Sequence, residues 1–197
     1  MGLRPTTEAR ILDAAEDLFF TRGIAATPID AVTARAGVSA ATLYRGYPSK
    51  ESLLAAALER RQRSWRAGWD AAVERAGGAE ERLLAIFDAL ETFRDRPRGS
   101  RWCAFLGAAA EYAEAPPEVA SAVRDDTAGM RAHLTELAVP VSGAEGAAEL
   151  AERLLILVSG DLAMRLREPG YGSSRARSTA AIVVAAARSD RAARAEG

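Results

Sequence analysis

The sequence has few of the residues that build metal sites, disulfides and β-sheets. Its 197 residues include one cysteine, Cys103, and one histidine, His133, which excludes an intrachain disulfide and a metal site rich in these residues. Ile and Val together occur 16 times, Ala occurs 45 times, and aromatic residues make up 6%. Because β-branched and aromatic side chains favour strands and alanine favours helices, this composition predicts an all-α protein.

Long apolar segments are also absent. The longest apolar runs are 53–58 and 180–187, far short of the ~18 residues that cross a bilayer. The first residues include Arg4 and Arg10 and no apolar stretch of the kind found in secretory signals. The 26 basic and 27 acidic residues nearly balance. We therefore expect a cytoplasmic protein without a membrane partner.

Helix-breaking residues divide the chain into segments of helical length. Glycine and proline clusters stand at 77–78, 96–100, 115–117, 140–143 and 169–174, where they mark connections. Between them apolar residues recur at helical spacing, as in Leu83, Ile86, Phe87 and Leu90. We expect helices over about 79–94, 101–114, 118–138, 144–167 and 175–194.

The first 50 residues are divided more finely, into three expected helices over about 7–21, 29–36 and 40–45. Gly23 and Gly37 are suited to ending the first two, since glycine adopts a positive φ at little cost. Thr27 stands before Pro28 as an expected hydroxyl cap, and Ser39 and Ser49 stand before the next two helices.

Two short helices joined by a tight turn form a helix-turn-helix pattern. Val32, Ala36, Val38 and Leu43 fall where the two helices pack on each other. The second helix is then free to present its other face to a DNA major groove. We expect the segment from Ser39 to Arg45 to project towards the duplex.

The charge of this region fits a polyanionic partner. Residues 33–50 include Arg35, Arg45 and Lys50 and no acid, and such cations supply the salt-dependent affinity for phosphates. Lys50 is the only lysine among 26 basic residues. Hydroxyl groups that can contact phosphates belong to Thr27, Thr42, Tyr44 and Tyr47.

These residues together resemble the tetracycline-repressor (TetR) family over roughly a quarter of the chain. The resemblance is carried by Ile11-Leu12-Asp13-Ala14-Ala15, Leu18-Phe19, Gly23, Thr27, Ala36-Gly37-Val38-Ser39, Thr42-Leu43-Tyr44, Ser49-Lys50-Glu51 and Leu53. It implies a homodimeric repressor with a DNA-binding domain over 1–50 and an all-helical ligand-binding and dimerisation domain over 51–197. A small molecule is then the expected effector, with no cofactor and no metal.

The resemblance also implies roles for individual residues. Thr27, Tyr44 and Lys50 correspond to phosphate contacts, and the base-facing residues are Ala40, Ala41, Thr42 and Arg45. The two alanines offer only methyl groups, which suit thymine, so Arg45 is the candidate for a hydrogen bond to guanine. Gly46-Tyr47 departs from the family pattern of a bulky residue or histidine followed by Phe, which predicts a looser exit from the recognition helix.

Bulky and polar residues of the second domain are candidates for an effector pocket, although most such residues simply form a core. The candidates are Trp65, Trp69, Phe87, Arg101, Trp102, Phe105, Glu111, Tyr112, Met130 and Met164. An Asp161–Arg165 pair one helical turn apart is favoured over a ligand contact by Asp161. His133 and Cys103 are interpreted first as ordinary core or surface residues, and a redox role for Cys103 is the alternative.

The last two helices resemble the dimer interface of the family, a four-helix bundle formed with the partner chain. The apolar residues expected there are Leu150, Leu154, Leu157, Val158, Leu162, Ile182 and Val183, and the alternative is ordinary intrachain packing. An enzyme is disfavoured, because the chain lacks an evident nucleophile and base. A scaffold whose helix-turn-helix contacts protein is the remaining alternative.

Overall fold

The computed structural model describes residues 2–94, 103–168 and 170–196, and this part of the chain contains helices and no strand. The helices are α1 (Pro5–Arg22), α2 (Ile29–Ala36), α3 (Ala40–Gly46), α4 (Lys50–Arg75), α5 (Ala79–Arg94), α6 (Ala104–Glu111), α7 (Pro117–Arg167) and α8 (Ser174–Glu196). The prediction of an all-α fold with an N-terminal helix-turn-helix is confirmed.

Glycines end the first two helices, as the sequence predicts. Gly23 has a φ of 94°, and its N–H donates to the carbonyl of Phe19 at 3.2 Å. Gly37 is left-handed, with φ 62° and ψ 44°, and the N–H of Val38 reaches back to the carbonyl of Thr33 at 3.1 Å. This pair of features closes a helix C-terminus and turns the chain sharply towards α3.

Serine side chains cap the next two helices. Ser39 Oγ accepts from the N–H of Thr42 at 3.2 Å. Ser49 and Ser52 bond reciprocally, each side chain accepting from the other residue's N–H at 2.9 and 3.0 Å. The prediction for Thr27 is wrong: Pro28 occupies the cap position of α2, and the Thr27 hydroxyl donates instead to the carbonyl of Gly23 at 2.7 Å.

A kink at Gly143 divides α7 into two helical parts. Gly143 has a φ of 77° and a ψ of 167°, which agrees with the predicted break at 140–143. Arg194 donates to the carbonyl of Ser142 at 3.3 Å, and Arg191 donates to that of Pro140. These guanidinium groups satisfy carbonyls that the end of a helix leaves without partners.

The chain forms two compact units: Met1–Arg63 with Cys103–Asp126, and Ser64–Trp102 with Thr127–Gly197. The core of the first unit includes Ile11, Phe19, Val32, Leu43 and Leu53. Fully buried side chains of the second include Trp69, Leu83, Ile86, Phe87 and Leu134. The functional division at residue 50 stays a prediction.

The predicted Asp161–Arg165 pair is confirmed and forms part of a larger network in the second unit. Arg165 Nε donates to Asp161 Oδ2 at 3.1 Å, and the hydroxyl of Ser173 donates to the same oxygen at 2.7 Å. Arg165 also bonds the Glu91 carboxylate at 3.1 Å. The network joins α5 and α7 to the segment before α8.

Candidate nucleic-acid interface

The recognition helix α3 is held by one apolar anchor. Leu43 is 0% exposed and lies in the core with Val32 and Ala36 of α2. The opposite face of α3 remains in solvent, with Ala40, Ala41, Tyr44 and Arg45 all exposed. A helix buried on one side and open on the other has the geometry needed for a groove of DNA.

The turn before α3 depends on an arginine that the sequence patterns do not single out. Arg10 of α1 donates to the carbonyl of Gly37 at 2.8 Å and also to that of Ala36. A Cβ on residue 37 would lie 2.6 Å from this guanidinium. Gly37 is therefore required both by its positive φ and by the approach of Arg10, which no local pattern distinguishes from the other 24 arginines.

The predicted DNA-contacting residues form a continuous exposed strip. Ser39 and Thr42 share a hydrogen bond between their hydroxyls at 2.9 Å, and Tyr44 is 48% exposed. Arg45 has no carboxylate partner among the residues that the structure describes. Lys50, the first residue of α4, has its Nζ 5.9 Å from the centre of the Phe19 ring.

Arg35 contributes less free positive charge than its sequence position indicates. Its guanidinium lies 2.7 Å from Asp17 Oδ2, with both side chains largely exposed. Exposed pairs of this kind contribute about 0–1 kcal/mol, so Arg35 can exchange Asp17 for a phosphate at small cost. The local charge of the free surface is carried mainly by Arg45 and Lys50.

Two of the predicted phosphate contacts point into the protein instead. Thr27 is 1% exposed, and its hydroxyl is bonded to Gly23. Tyr47 is 8% exposed, and its hydroxyl donates to the Glu8 carboxylate at 3.3 Å. Burial and the nearby Glu8 charge raise the pKa of Tyr47 to about 12. Both hydroxyls thus support the fold, and we place them outside the proposed interface.

Glu111 has a different role from the predicted ligand contact. Its two carboxylate oxygens accept from the successive N–H groups of Ile24 and Ala25, at 3.0 and 2.8 Å. These N–H groups follow α1 and precede α2, so the carboxylate fixes the turn that leads into the helix-turn-helix. Bonds from N–H groups to a carboxylate are stronger than those to neutral oxygens.

Phe105 and Tyr112 belong to the first unit together with Glu111. Phe105 is 7% exposed in the core of that unit, and Tyr112 packs against the same core. The structure therefore does not group these three residues with the other predicted effector contacts. Arg101 and Trp102 lie outside the described residues.

The remaining effector candidates lie in the second unit: Trp65, Trp69, Phe87, Met130 and Met164. Trp69 is 0% exposed, and its ring centre lies 6.0 Å from that of Trp65 and 4.5 Å from that of His133. Trp65 meets Phe93 edge to face at 5.6 Å. An aromatic cluster surrounds Trp69, as sequence analysis predicts only in composition.

Buried polar atoms in this aromatic cluster lack partners. Trp69 Nε1 and both ring nitrogens of His133 are buried without a hydrogen bond in the described part of the chain. Carboxylate oxygens of Asp70 and Glu136 lie 3.4 and 3.5 Å from the imidazole nitrogens, outside hydrogen-bond geometry. Burial and the Arg66 charge lower the pKa of His133, which favours the neutral ring.

Two other titratable groups of the first unit are shifted by burial. Burial raises the pKa of the Cys103 thiol to about 11, which disfavours the reactive thiolate. Burial raises the pKa of Asp126 to about 7. Within the described ranges, no group of three or more His, Cys, Asp or Glu side chains could hold a metal ion, and no helix has the length and hydropathy to cross a membrane.

The geometry of the first unit defines a helix-turn-helix DNA-binding protein. A family model described as bacterial regulatory proteins of the tetR family matches residues 11–57. A solved TetR-family transcriptional regulator from Streptomyces coelicolor is 30% identical, with 95% of this chain and 96% of that chain covered and a TM-score of 0.79. The chain belongs to the TetR family of transcriptional regulators.

Other relatives agree with this assignment over part or all of the chain. An uncharacterized HTH-type transcriptional regulator of Mycobacterium tuberculosis is 40% identical over 96 residues, which are 47% of this chain and 46% of the relative. The match therefore spans about half the length of that curated relative. A putative regulator from Streptomyces avermitilis, 23% identical with 92% and 97% coverage and a TM-score of 0.77, shares the fold.

Proposed function

We propose that this regulator is a repressor that binds a pseudo-palindromic operator as a homodimer and is released by a small molecule. The observation that carries the proposal is the contrast within α3 between buried Leu43 and exposed Arg45. In a dimer, two such helices about 34–36 Å apart would enter successive major grooves on one face of the duplex.

Each exposed residue then has a task that its chemistry allows. Arg45 donates to guanine, and the methyl groups of Ala40 and Ala41 contact thymine methyls. Ser39, Thr42, Tyr44 and Lys50 bind phosphates, which fixes the register without reading sequence. The DNA-binding function is thus assigned to residues 1–50, and effector binding and dimerisation to residues 51–197.

A second copy of this chain is the partner proposed for the last two helices. Leu150, Leu154, Val158 and Leu162 are buried within the single chain, so the alternative of intrachain packing holds for them. On the same helices, Ile156 is 69% exposed and Ile182 is 72% exposed. A Cβ on Gly160 would meet nothing within 4 Å, which leaves room for the close approach of another helix.

The effector proposed is a small apolar or amphipathic molecule bound near Trp69 and His133. Their unpartnered nitrogens favour a ligand that carries hydrogen-bond acceptors on an apolar frame. Such a ligand lowers operator affinity only by binding more tightly to the conformer with the wrong helix spacing. Helix α4 is the proposed lever, because it begins at Lys50 beside α3 and contributes Trp65 and Trp69 to the aromatic cluster.

The proposal is tested with duplexes selected from a random pool by the purified protein. Arg45→Ala should relax the preference for guanine at one position of each half-site, with a loss of about 1–3 kcal/mol of discrimination. Lys50→Ala and Tyr44→Phe should instead weaken binding to all sequences alike, and Lys50→Ala should also reduce the salt dependence. No binding to any duplex at low salt would contradict the proposal and favour a protein-binding scaffold.

A further inference from the structure

The start of the chain packs against the end of the recognition helix. A Cβ on Gly46 would lie 2.2 Å from Leu3 Cδ1 and 2.8 Å from Leu3 Cγ. Leu3 is itself partly buried against the core of the first unit. Glycine at position 46 therefore makes room for Leu3, and this contact gives a physical reason for the departure from the family pattern.

A second contact ties the same two segments together. The Tyr47 hydroxyl, one residue after α3, donates to the Glu8 carboxylate in the first turn of α1 at 3.3 Å. The N-terminus of α1 is thus attached to the exit of α3 on both sides of Arg4. The exit is packed rather than loose, contrary to the expectation from its glycine.

The backbone of Arg4 is fixed in this arrangement while its side chain is free. Its φ of −68° and ψ of 142° are the extended values that a following proline imposes. Its carbonyl accepts from the N–H groups of Thr7 and Glu8 at 2.9 and 3.0 Å. The residue is exposed, and within the described ranges its guanidinium has no ion-pair or hydrogen-bond partner.

The neighbouring arginines of the first unit differ from Arg4 in this respect. Arg10 is bonded to the turn at Gly37, Arg35 pairs with Asp17, and Arg60 pairs with Asp13 at 2.9 Å. Arg4 is therefore an uncommitted cation held beside the recognition helix, together with Arg45 and Lys50. An exposed cation in this position is available to the anionic edge of a bound duplex.

We propose that Arg4 is a further DNA-binding residue, carried to the duplex by the packing of Leu3 on Gly46. The inference rests on the proposed function, in which α3 enters the major groove. Its guanidinium binds acceptor oxygens or nitrogens at the flank of the half-site, which belong either to backbone phosphates or to the floor of the adjacent minor groove.

The test compares Arg4→Ala with Arg22→Ala, using a selected duplex and a range of salt concentrations. Arg22 is an exposed arginine at the other end of α1, about 27 Å away at 1.5 Å per residue. We expect Arg4→Ala to weaken binding about 3- to 10-fold and to reduce the salt slope by about 0.9 per site lost. Arg22→Ala should change neither quantity.

Two further measurements identify the route and the source. Leu3→Ala should weaken binding as Arg4→Ala does, and the double variant should be no weaker than either, because both changes remove one contact. Replacing guanine by inosine in the flanking pairs removes an amino group from the minor groove. A tighter complex that depends on Arg4 indicates the groove, and an unchanged Arg4 effect indicates phosphate.

The outcomes separate failure of the inference from failure of the proposed function. If Arg4→Ala binds as tightly as the wild type while Arg45→Ala changes base preference, the inference is overturned and the interface on α3 stands. If neither variant has an effect, the proposed interface itself is wrong. Equal losses in Arg4→Ala and Arg22→Ala would also overturn the inference, since they would reflect total charge alone.

Discussion

The two compact units of the molecule treat their polar groups differently. Around the recognition helix, Arg10, Thr27 and Glu111 are bonded to backbone groups of the turns that position α2 and α3. In the second unit, Trp69 and His133 have buried nitrogens without partners in the described part of the chain. The first unit thus resembles a finished frame that presents cations outward, whereas the aromatic cluster of the second lacks acceptors that a ligand can supply.

This difference bears on stability as well as on binding. A buried polar group that is left without a partner costs about 1–3 kcal/mol, which a rigid frame avoids and a ligand site tolerates. The contrast is not absolute, since Asp161, Arg165 and Ser173 of the second unit are bonded to each other. Conversely, Asp126 of the first unit is a buried carboxyl whose pKa is raised by burial.

The largest expected effect comes from removing the anchor of the recognition helix. Leu43 and Leu134 are both 0% exposed, one in each unit. Replacing either by alanine should cost about 2–5 kcal/mol of unfolding free energy, measured by urea denaturation. Only Leu43→Ala should also abolish binding to a selected duplex under conditions where the variant is folded. Equal DNA binding by the two folded variants would contradict the role given to Leu43.

Asp126 gives a pH-dependent test of the exception in the first unit. Its pKa is raised from 3.8 to about 7 by burial, so the folded state holds a proton that the unfolded state has already lost. Stability from this group is present below about pH 4 and is lost as the pH rises towards 7. Because Asn stays neutral, Asp126→Asn should be more stable than the wild type at pH 8, by about 2 kcal/mol, and similar to it at pH 4.

The control for this prediction is the exposed neighbour Asp125. Asp125→Asn should show no such difference between pH 4 and pH 8 when both proteins are unfolded in urea. A gain at pH 8 that persists unchanged at pH 4 would show that burial of the Asp126 charge is not its cause.

The smallest effects separate the two tyrosines beside the recognition helix. Tyr47→Phe removes the hydrogen bond to Glu8 and should cost about 0.5–1.5 kcal/mol of stability, with operator affinity nearly unchanged. Tyr44→Phe removes an exposed hydroxyl and should do the reverse. Thermal unfolding and duplex titration of both variants measure the two effects, and a loss of DNA affinity confined to Tyr47→Phe would reinstate it as a phosphate contact.

Local sequence patterns predicted the frame of the first unit. Gly37 and Ser39 act through bonds to residues within a few positions, so their roles can be read from spacing. The roles of Glu111 and Tyr47 could not be read in this way, because their partners lie 87 and 39 residues away in the chain. A carboxylate or phenol looks the same in sequence whether it faces solvent, a ligand or a distant turn.

In the second unit, composition predicted aromatic residues but not their grouping. Trp65, Trp69 and Phe93 come together with His133 through packing of three helices, α4, α5 and α7. Phe105 and Tyr112 have the same residue chemistry and lie in the other unit. Which bulky residues share a site is decided by tertiary packing, which periodicity does not encode.

The most direct measurement replaces guanine by 7-deazaguanine at the position of a selected duplex that the wild-type protein prefers. This change removes one acceptor from the major groove and leaves pairing and phosphates intact. If the exposed face of α3 lies in that groove, the substitution weakens wild-type binding and has no effect on Arg45→Ala. An equal loss in both proteins, or no loss in either, would contradict the assignment of Arg45 as the residue that reads the base.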